Sequence, residues 1–189
     1  MIDAIKKGWN ILCRRIRDQG IRTSLLWLYA RGVPLLTGIP LLQFSQVTSS
    51  IFVGPQYRHN GLKYLQKQGI HAVVNLRIEK DDARLGLAPQ YYCYLPTIDD
   101  QAPSMEQLFS GVEFIQRIID DGGKVYIHCG AGVGRAPTMA AAYLISTGLS
   151  LVDALALIKK VRPFIYITPP QMDTLIRFEQ YYLRGCGNL

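Results

Sequence analysis

The stretch "KVYIHCGAGVGRAPT", residues 124–138, sets one thiol, three glycines and one guanidinium between an apolar run and a helix-forming run. Cys129 stands at the mouth of this loop and Arg135 follows six residues later. A thiolate is a strong nucleophile, and a guanidinium is a planar fork that can hold two non-bridging oxygens of one oxyanion. Glycines at 130, 132 and 134 let successive backbone N–H groups turn inward without a Cβ in the way. Where such a loop ends on a helix N-terminus, the N–H groups and the helix dipole form a cradle for a dianion of phosphate size. That cradle favours negative charge on sulfur as well as on oxygen. A core thiol beside an ordinary glycine loop is the plainer alternative. The spacing instead points to a nucleophile (Cys129), oxyanion donors (Gly130, Ala131, Gly132, Val133 and Gly134) and a clamp (Arg135) in one loop, a set suited to attack on phosphorus.

The elements around the loop must hold it open to a ligand. "IFV" at 51–53, "HAVVNL" at 71–76, "YYCYLP" at 91–96 with Pro96 as its stop, and "KVYIHC" at 124–129, of alternating type, read as strands. Helices are predicted from about Leu62 to Gly69, and from Ser104 as N-cap to Gly122. Three more are predicted over "RAPTMAAAYLISTG", from Ser150 (with Asp153 three residues on) to Val161, and from Pro170 to Leu183. This alternation predicts an α/β fold with a mostly parallel central sheet flanked by helices. On that layout Cys129 leaves the carboxyl end of a strand and Gly134–Arg135 opens a helix, which is where open α/β sheets bind their ligands.

With 189 residues, 49% of them hydrophobic, the chain makes one domain or one domain with an appendage. The division expected is an N-terminal helical extension over residues 1–43 and a catalytic domain over 44–189. Cys13, Cys93, Cys129 and Cys186 are scattered, with no C-x-x-C pair and three histidines. That spacing argues against a disulfide framework and a zinc cluster, so no metal is expected. A reducing, cytoplasmic compartment fits, and it keeps Cys129 usable. The formal charge of +7 is uneven: residues 1–40 carry seven Lys/Arg against two Asp, leaving only +2 for the remainder. A nearly neutral main domain speaks against nucleic acid as a partner.

Ile2, Ile5, Trp9, Leu12 and Ile16 recur at helical spacing, with Lys6, Lys7, Arg14 and Arg17 mostly off that stripe. Gly20 interrupts the pattern. Residues 24–42 are strongly apolar with Arg31 as the single charge, yet two glycines and two prolines fall inside them, which argues against a membrane span. Residues 1–43 read either as a helix pair packed on the main domain or as a basic amphipathic helix on an anionic membrane face, giving peripheral membrane association.

"HCGAGVGRAPT" resembles the His-Cys-x5-Arg signature loop of cysteine-dependent protein-tyrosine phosphatases, and its surroundings resemble the dual-specificity branch. The resemblance covers roughly residues 45–183, including "IFVG", "VVNLR" and "LPTIDD". It implies a phosphatase-type fold and hydrolysis of phosphate monoesters through a phosphocysteine intermediate, without metal or organic cofactor. By the same resemblance Cys129 is the nucleophile, Arg135 the phosphate clamp, Gly130 to Gly134 the cradle, and His128 the residue that tunes the thiolate. An aspartate beyond the "YLP" strand protonates the leaving group and then activates water; counting from Leu95–Pro96 it falls on Asp99, with Asp100 the alternative. The residue after Arg135 is usually serine or threonine and supports the departing thiolate. Here it is Ala136, as in the phosphatases of regenerating liver, which implies slower breakdown of the intermediate.

Three more residues have two readings each. Arg77 faces substrate or makes a surface salt bridge, Gln171 orients a water or caps a helix, and Cys93 is a core thiol or a disulfide partner for Cys129. Lysines inside the loop, which phosphoinositide 3-phosphatases of the tensin type use to hold further phosphates, are absent here. The expected substrate is a phosphorylated protein, with a singly phosphorylated phospholipid of the phosphatidylglycerophosphate type as the alternative. A slow-turnover phosphate-binding module and an adaptor bound to a membrane through the N-terminal segment are the non-enzymatic readings.

Overall fold

A computed structural model describes residue 13 and residues 16–186. Four strands lie side by side: β1 (Ile51–Gly54), β2 (Ala72–Arg77), β3 (Tyr91–Thr97) and β4 (Val125–His128). All pairings are parallel and the order is β1-β4-β2-β3, so the last strand in sequence inserts between the first two. Alternation along each strand splits the core in two. Ile51, Val53, Val74, Val125 and Ile127 face one side and Phe52, Val73 and Tyr126 the other.

β4 is covered on both sides and buries all four of its residues. The alternating pattern read for it is therefore corrected: a central parallel strand has no solvated face. Pro96 does not stop β3, which runs one residue further to Thr97. β3 is an edge strand paired only with β2, where a missing N–H is tolerated.

The helices are α1 (Ile21–Thr37), α2 (His59–Lys67), α3 (Met105–Asp120), α4 (Arg135–Ser146), α5 (Leu151–Val161) and α6 (Pro169–Cys186). Ser104 closes a capping box with Gln107 at the start of α3, and Ser150 Oγ accepts from the Asp153 N–H at the start of α5. α4 is buried from Arg135 through Ile145. Its Ala136, Ala140, Ala141 and Ala142 have no exposed surface, and such small side chains let the helix sit between the sheet and α3, α5 and α6.

α1 runs unbroken through Gly32 and Pro34 and ends where the Gly38 N–H, at φ 75°, reaches Pro34 O at 2.8 Å. Its inner face packs Trp27 and Ala30 against Val133 and Phe164. Residues 21–37 thus rest on the cysteine loop itself. The stripe from Ile2 to Leu12 lies outside the described residues. Among the described residues no helix is long and apolar enough to cross a membrane.

Candidate active site

The carboxyl ends of all four strands meet around one cleft of about 560 Å³. Cys129, directly after β4, is 3% exposed at its floor. The loop above it is shaped by what its carbonyls bind. Gly130 O accepts from the Gln56 N–H at 3.3 Å, and Val133 O from the Tyr166 N–H at 2.9 Å. Arg162 Nη2 donates to Ala131 O at 3.3 Å, and Arg162 Nε to Gly132 O at 3.0 Å. Each peptide is planar and trans, so a carbonyl drawn outward turns the next N–H the opposite way. The N–H groups of residues 131 to 134 are thereby aimed away from the outer shell, toward the space over Cys129. Gly132 carries the one turn that needs glycine, at φ +66°; a Cβ there would lie 2.4 Å from the Gly54 backbone.

Arg162 is 1% exposed, covers the Phe164 ring at 4.9 Å, and also donates to Phe44 O. Burial pulls its guanidinium down to about 10, against the opposing pull of Tyr126 and Cys129.

Arg135 opens α4 and is also buried. Its Nη1 donates to Thr97 O at 2.8 Å and lies 3.1 Å from each Glu79 carboxylate oxygen, while Nη2 meets Asp99 Oδ1 at 2.7 Å. Burial works against this charge, but Cys129, Glu79 and Asp99 outweigh it and hold the guanidinium's pKa above its usual value. A polar chain continues behind it: Arg77 meets Glu79 at 3.3 Å and donates to Gln56 Oε1, Gln56 Nε2 donates to Asp82 Oδ1, and Asp82 Oδ2 stands 2.9 Å from His128 Nε2. The residue before the cysteine is thus linked to the arginine after it. A nucleophile, an N–H cradle, a buried guanidinium and an exposed carboxylate share one cleft, a layout for transferring a phosphoryl group to sulfur.

A family model described as "Dual specificity phosphatase, catalytic domain" matches residues 51–181. The chain belongs to this phosphatase family. It is 29% identical over 170 residues to Dual specificity protein phosphatase 1 of Mus musculus, covering 88% of this chain and 42% of that protein. It is 40% identical over 88 residues to Phosphatidylglycerophosphatase and protein-tyrosine phosphatase 1 of Homo sapiens, covering 46% of this chain and 44% of that protein. The chain thus spans less than half the length of these curated relatives. Among solved structures, PTPMT1 in complex with PI(5)P superimposes with a TM-score of 0.68 at 26% identity, over 74% of this chain and 96% of that one.

Within this dual-specificity domain, the residues singled out by sequence fall as follows. Asp99 and Asp100 both line the cleft, but only Asp99 touches Arg135; Asp100, at φ 62°, has its carbonyl held by Thr168 Oγ1 at 2.8 Å. Arg77 makes the salt bridge to Glu79 and also lines the cleft, so it meets both of its readings. Gln171, 1% exposed, accepts from the Thr168 N–H just before α6 and donates to Gln101 O, tying that helix to the aspartate loop. Ala136 is fully buried in the core. Cys93 is the core thiol of its two readings, pushed up to about 11 by burial with Arg117 opposing. Cys93 pairs with Val74, whose other neighbour is Ile127 on β4. Two inter-strand steps of about 4.8 Å keep it beyond the roughly 7 Å that a disulfide to Cys129 can span.

Sequence reasoning missed Arg162, Asp82 and Glu79. Arg162 sits in "KKVRPF" and Asp82 in "EKDDAR", runs dense in charged residues. Nothing in either run announces that one member is buried. The adjacency of Glu79 to "VVNLR" was the only available hint that its turn faces the same strand ends.

Proposed function

We propose that the chain hydrolyses phosphate monoesters by way of a phosphocysteine, as a protein-tyrosine or dual-specificity phosphatase. The observation that carries this reading is the set of four consecutive loop carbonyls drawn outward over a buried Cys129, beside Arg135. The Cys129 thiolate attacks phosphorus, the N–H groups and Arg135 hold the non-bridging oxygens, and Asp99 gives its proton to the departing oxygen. Water deprotonated by Asp99 then attacks the phosphocysteine, releasing phosphate and the thiolate. Arg135 Nη2, which Asp99 holds at 2.7 Å, turns to the oxyanion, freeing the exposed carboxylate to reach the leaving group.

A second reading, a singly phosphorylated phospholipid at an anionic membrane surface reached through residues 1–43, is supported by the phosphatidylglycerophosphatase relative and by the PTPMT1 complex with PI(5)P. Gly130, Ala131 and Val133 place no lysine in the cradle, which disfavours highly phosphorylated head groups. Hydrolysis of p-nitrophenyl phosphate that vanishes in Cys129→Ser, with inorganic phosphate still bound, is the expected result. Turnover by Cys129→Ser at the wild-type rate would exclude the phosphocysteine route. A side-by-side assay of phosphotyrosine peptides and vesicle-borne lipid phosphates separates the two substrates.

A further inference from the structure

We propose that the outward face of α1 docks on the surface of an anionic lipid bilayer and holds the mouth of the cleft there. This rests on the phosphatase reading only for what enters the cleft. Ile21, Leu25, Leu28, Tyr29, Leu35 and Leu36 are all exposed, from 41% at Leu28 to 82% at Leu36. At about 100° per residue these six fall within roughly 120° of the helix circumference, opposite the buried Trp27, Ala30 and Pro34. Gly32 lies inside the same sector and no charge does. The only charged residues of α1 are Arg22 and Arg31, both exposed, and on the same geometry they fall on the two borders of the stripe.

Arg58 adds a third cation at the far end: its N–H donates to Gly38 O at 3.0 Å and its side-chain carbons lie against that C-terminal cap. Among the described residues none of the three arginines has a carboxylate within 4.0 Å. An uninterrupted apolar stripe bordered by guanidinium groups matches a bilayer interface, with aliphatic side chains at the acyl boundary and cations at the lipid phosphates. The charge pattern also argues against the other occupants. A second copy docked by two-fold symmetry would bring arginines toward arginines. Residues 1–12 carry Lys6 and Lys7 against Asp3, so folding them over the stripe would set like charge on like.

The stripe is continuous with the site. Trp27, Arg31, Pro34 and Leu35 form the α1 wall of the cleft, so Leu35 belongs to both surfaces and Arg31 to both the wall and the border. With the stripe on a bilayer, that wall is the membrane side of the cleft, and a phosphomonoester standing out of the interface meets the cysteine loop from there.

The test is sedimentation of the full chain with phosphatidylcholine vesicles with and without phosphatidylglycerol, alongside p-nitrophenyl phosphate hydrolysis in solution. Wild type is expected to sediment with the anionic vesicles, less so at high salt and less with phosphatidylcholine alone. Leu25→Glu with Leu36→Glu, neither residue lining the cleft, should weaken that binding roughly tenfold or more while soluble hydrolysis stays within about twofold. Should the glutamate pair unfold the helix, seen as lost soluble hydrolysis, Ile21→Ser with Leu25→Ser carries the same comparison without added charge.

Wild-type sedimentation by these variants overturns the proposal, as does a wild type that does not sediment. A wild-type dimer made monomeric by the variants would assign the stripe to a second copy and overturn it. Sedimentation lost on deleting residues 1–12 but untouched by the stripe variants would assign it to that segment, with the same consequence. Vesicle binding intact in a wild type that hydrolyses no phosphate monoester would instead sink the phosphatase reading and leave the docking surface standing.

Discussion

The cysteine loop and α1 touch through Val133, Phe164 and Trp27, yet they are held by opposite means. In the loop four successive carbonyls have donors from outside it, and the clamp arginine is tied to Thr97, Glu79 and Asp99. α1 meets it through apolar contacts, with a hydrogen bond from Gln19 to Ile165 O just ahead of the helix. Directional bonds fix atoms to the tolerance that chemistry needs, whereas apolar packing fixes a face and leaves its far side open to a partner. On the proposed reading the loop is the part that reacts, while α1 walls the cleft through Trp27, Arg31, Pro34 and Leu35.

Arg135→Lys should show the loop at its most exacting. An ammonium cannot fill the positions of a two-pronged fork, so kcat on p-nitrophenyl phosphate should fall by about 10³-fold or more. A lysine variant near the wild-type rate would remove Arg135 as clamp. Asp99→Asn should cost about 10²–10⁴-fold on alkyl phosphates and far less on good leaving groups, with Asp100→Asn nearly silent. The reverse pattern would move the acid to Asp100. Arg162→Leu leaves the Ala131 and Gly132 carbonyls without donors and should lower kcat by about 10²-fold, because the N–H cradle loosens although no group that touches phosphate is removed. Turnover close to wild type would show that the loop holds its shape without the arginine.

Asp82→Asn probes the buried end of the polar chain. Desolvation pushes the Asp82 carboxyl up, but His128 and Gln56 outweigh it, so its pKa lies below the usual range. A depressed carboxylate stabilises the fold above its unfolded value, at about pH 4, and loses that contribution as pH falls through the folded value. The Tm gap between wild type and Asp82→Asn should therefore be widest near neutrality and close below about pH 4. A gap that does not change with pH would mean the aspartate acts through packing alone. The smallest change is expected from Ala136→Ser. If a hydroxyl there supports thiolate departure, phosphocysteine breakdown should speed a few-fold and the initial burst shrink, with phosphoenzyme formation unaltered in rapid-quench experiments. An unchanged hydrolysis step would make Ala136 incidental.

How far the sequence carried the reading varied with the kind of interaction. Ser104 and Ser150 announced their helix starts, because capping is local and a few residues contain both partners. Pro96 misled, because whether proline ends a strand depends on whether that strand is at an edge, which only sheet order decides. β4 misled in the same way, since burial on both faces follows from helices contributed by distant segments. Cys93 and Cys129 could be compared only once the register placed β2 between their strands.

The proposed reacting set was legible in the sequence alone. Cys129, the glycines and Arg135 lie within seven residues, and a strand end joined to a helix start brings them together by local geometry. The sequence by itself also determined the strand–helix alternation, whose periodicity is carried within each segment. Tertiary structure decided the rest. Asp99 rather than Asp100 meets the clamp, Arg162 and Asp82 are buried supports rather than surface charge, and α1 walls the cleft rather than standing apart. Each of these depends on a contact between residues far apart in the chain, and the identity of a charged residue does not reveal whether distant segments will enclose it.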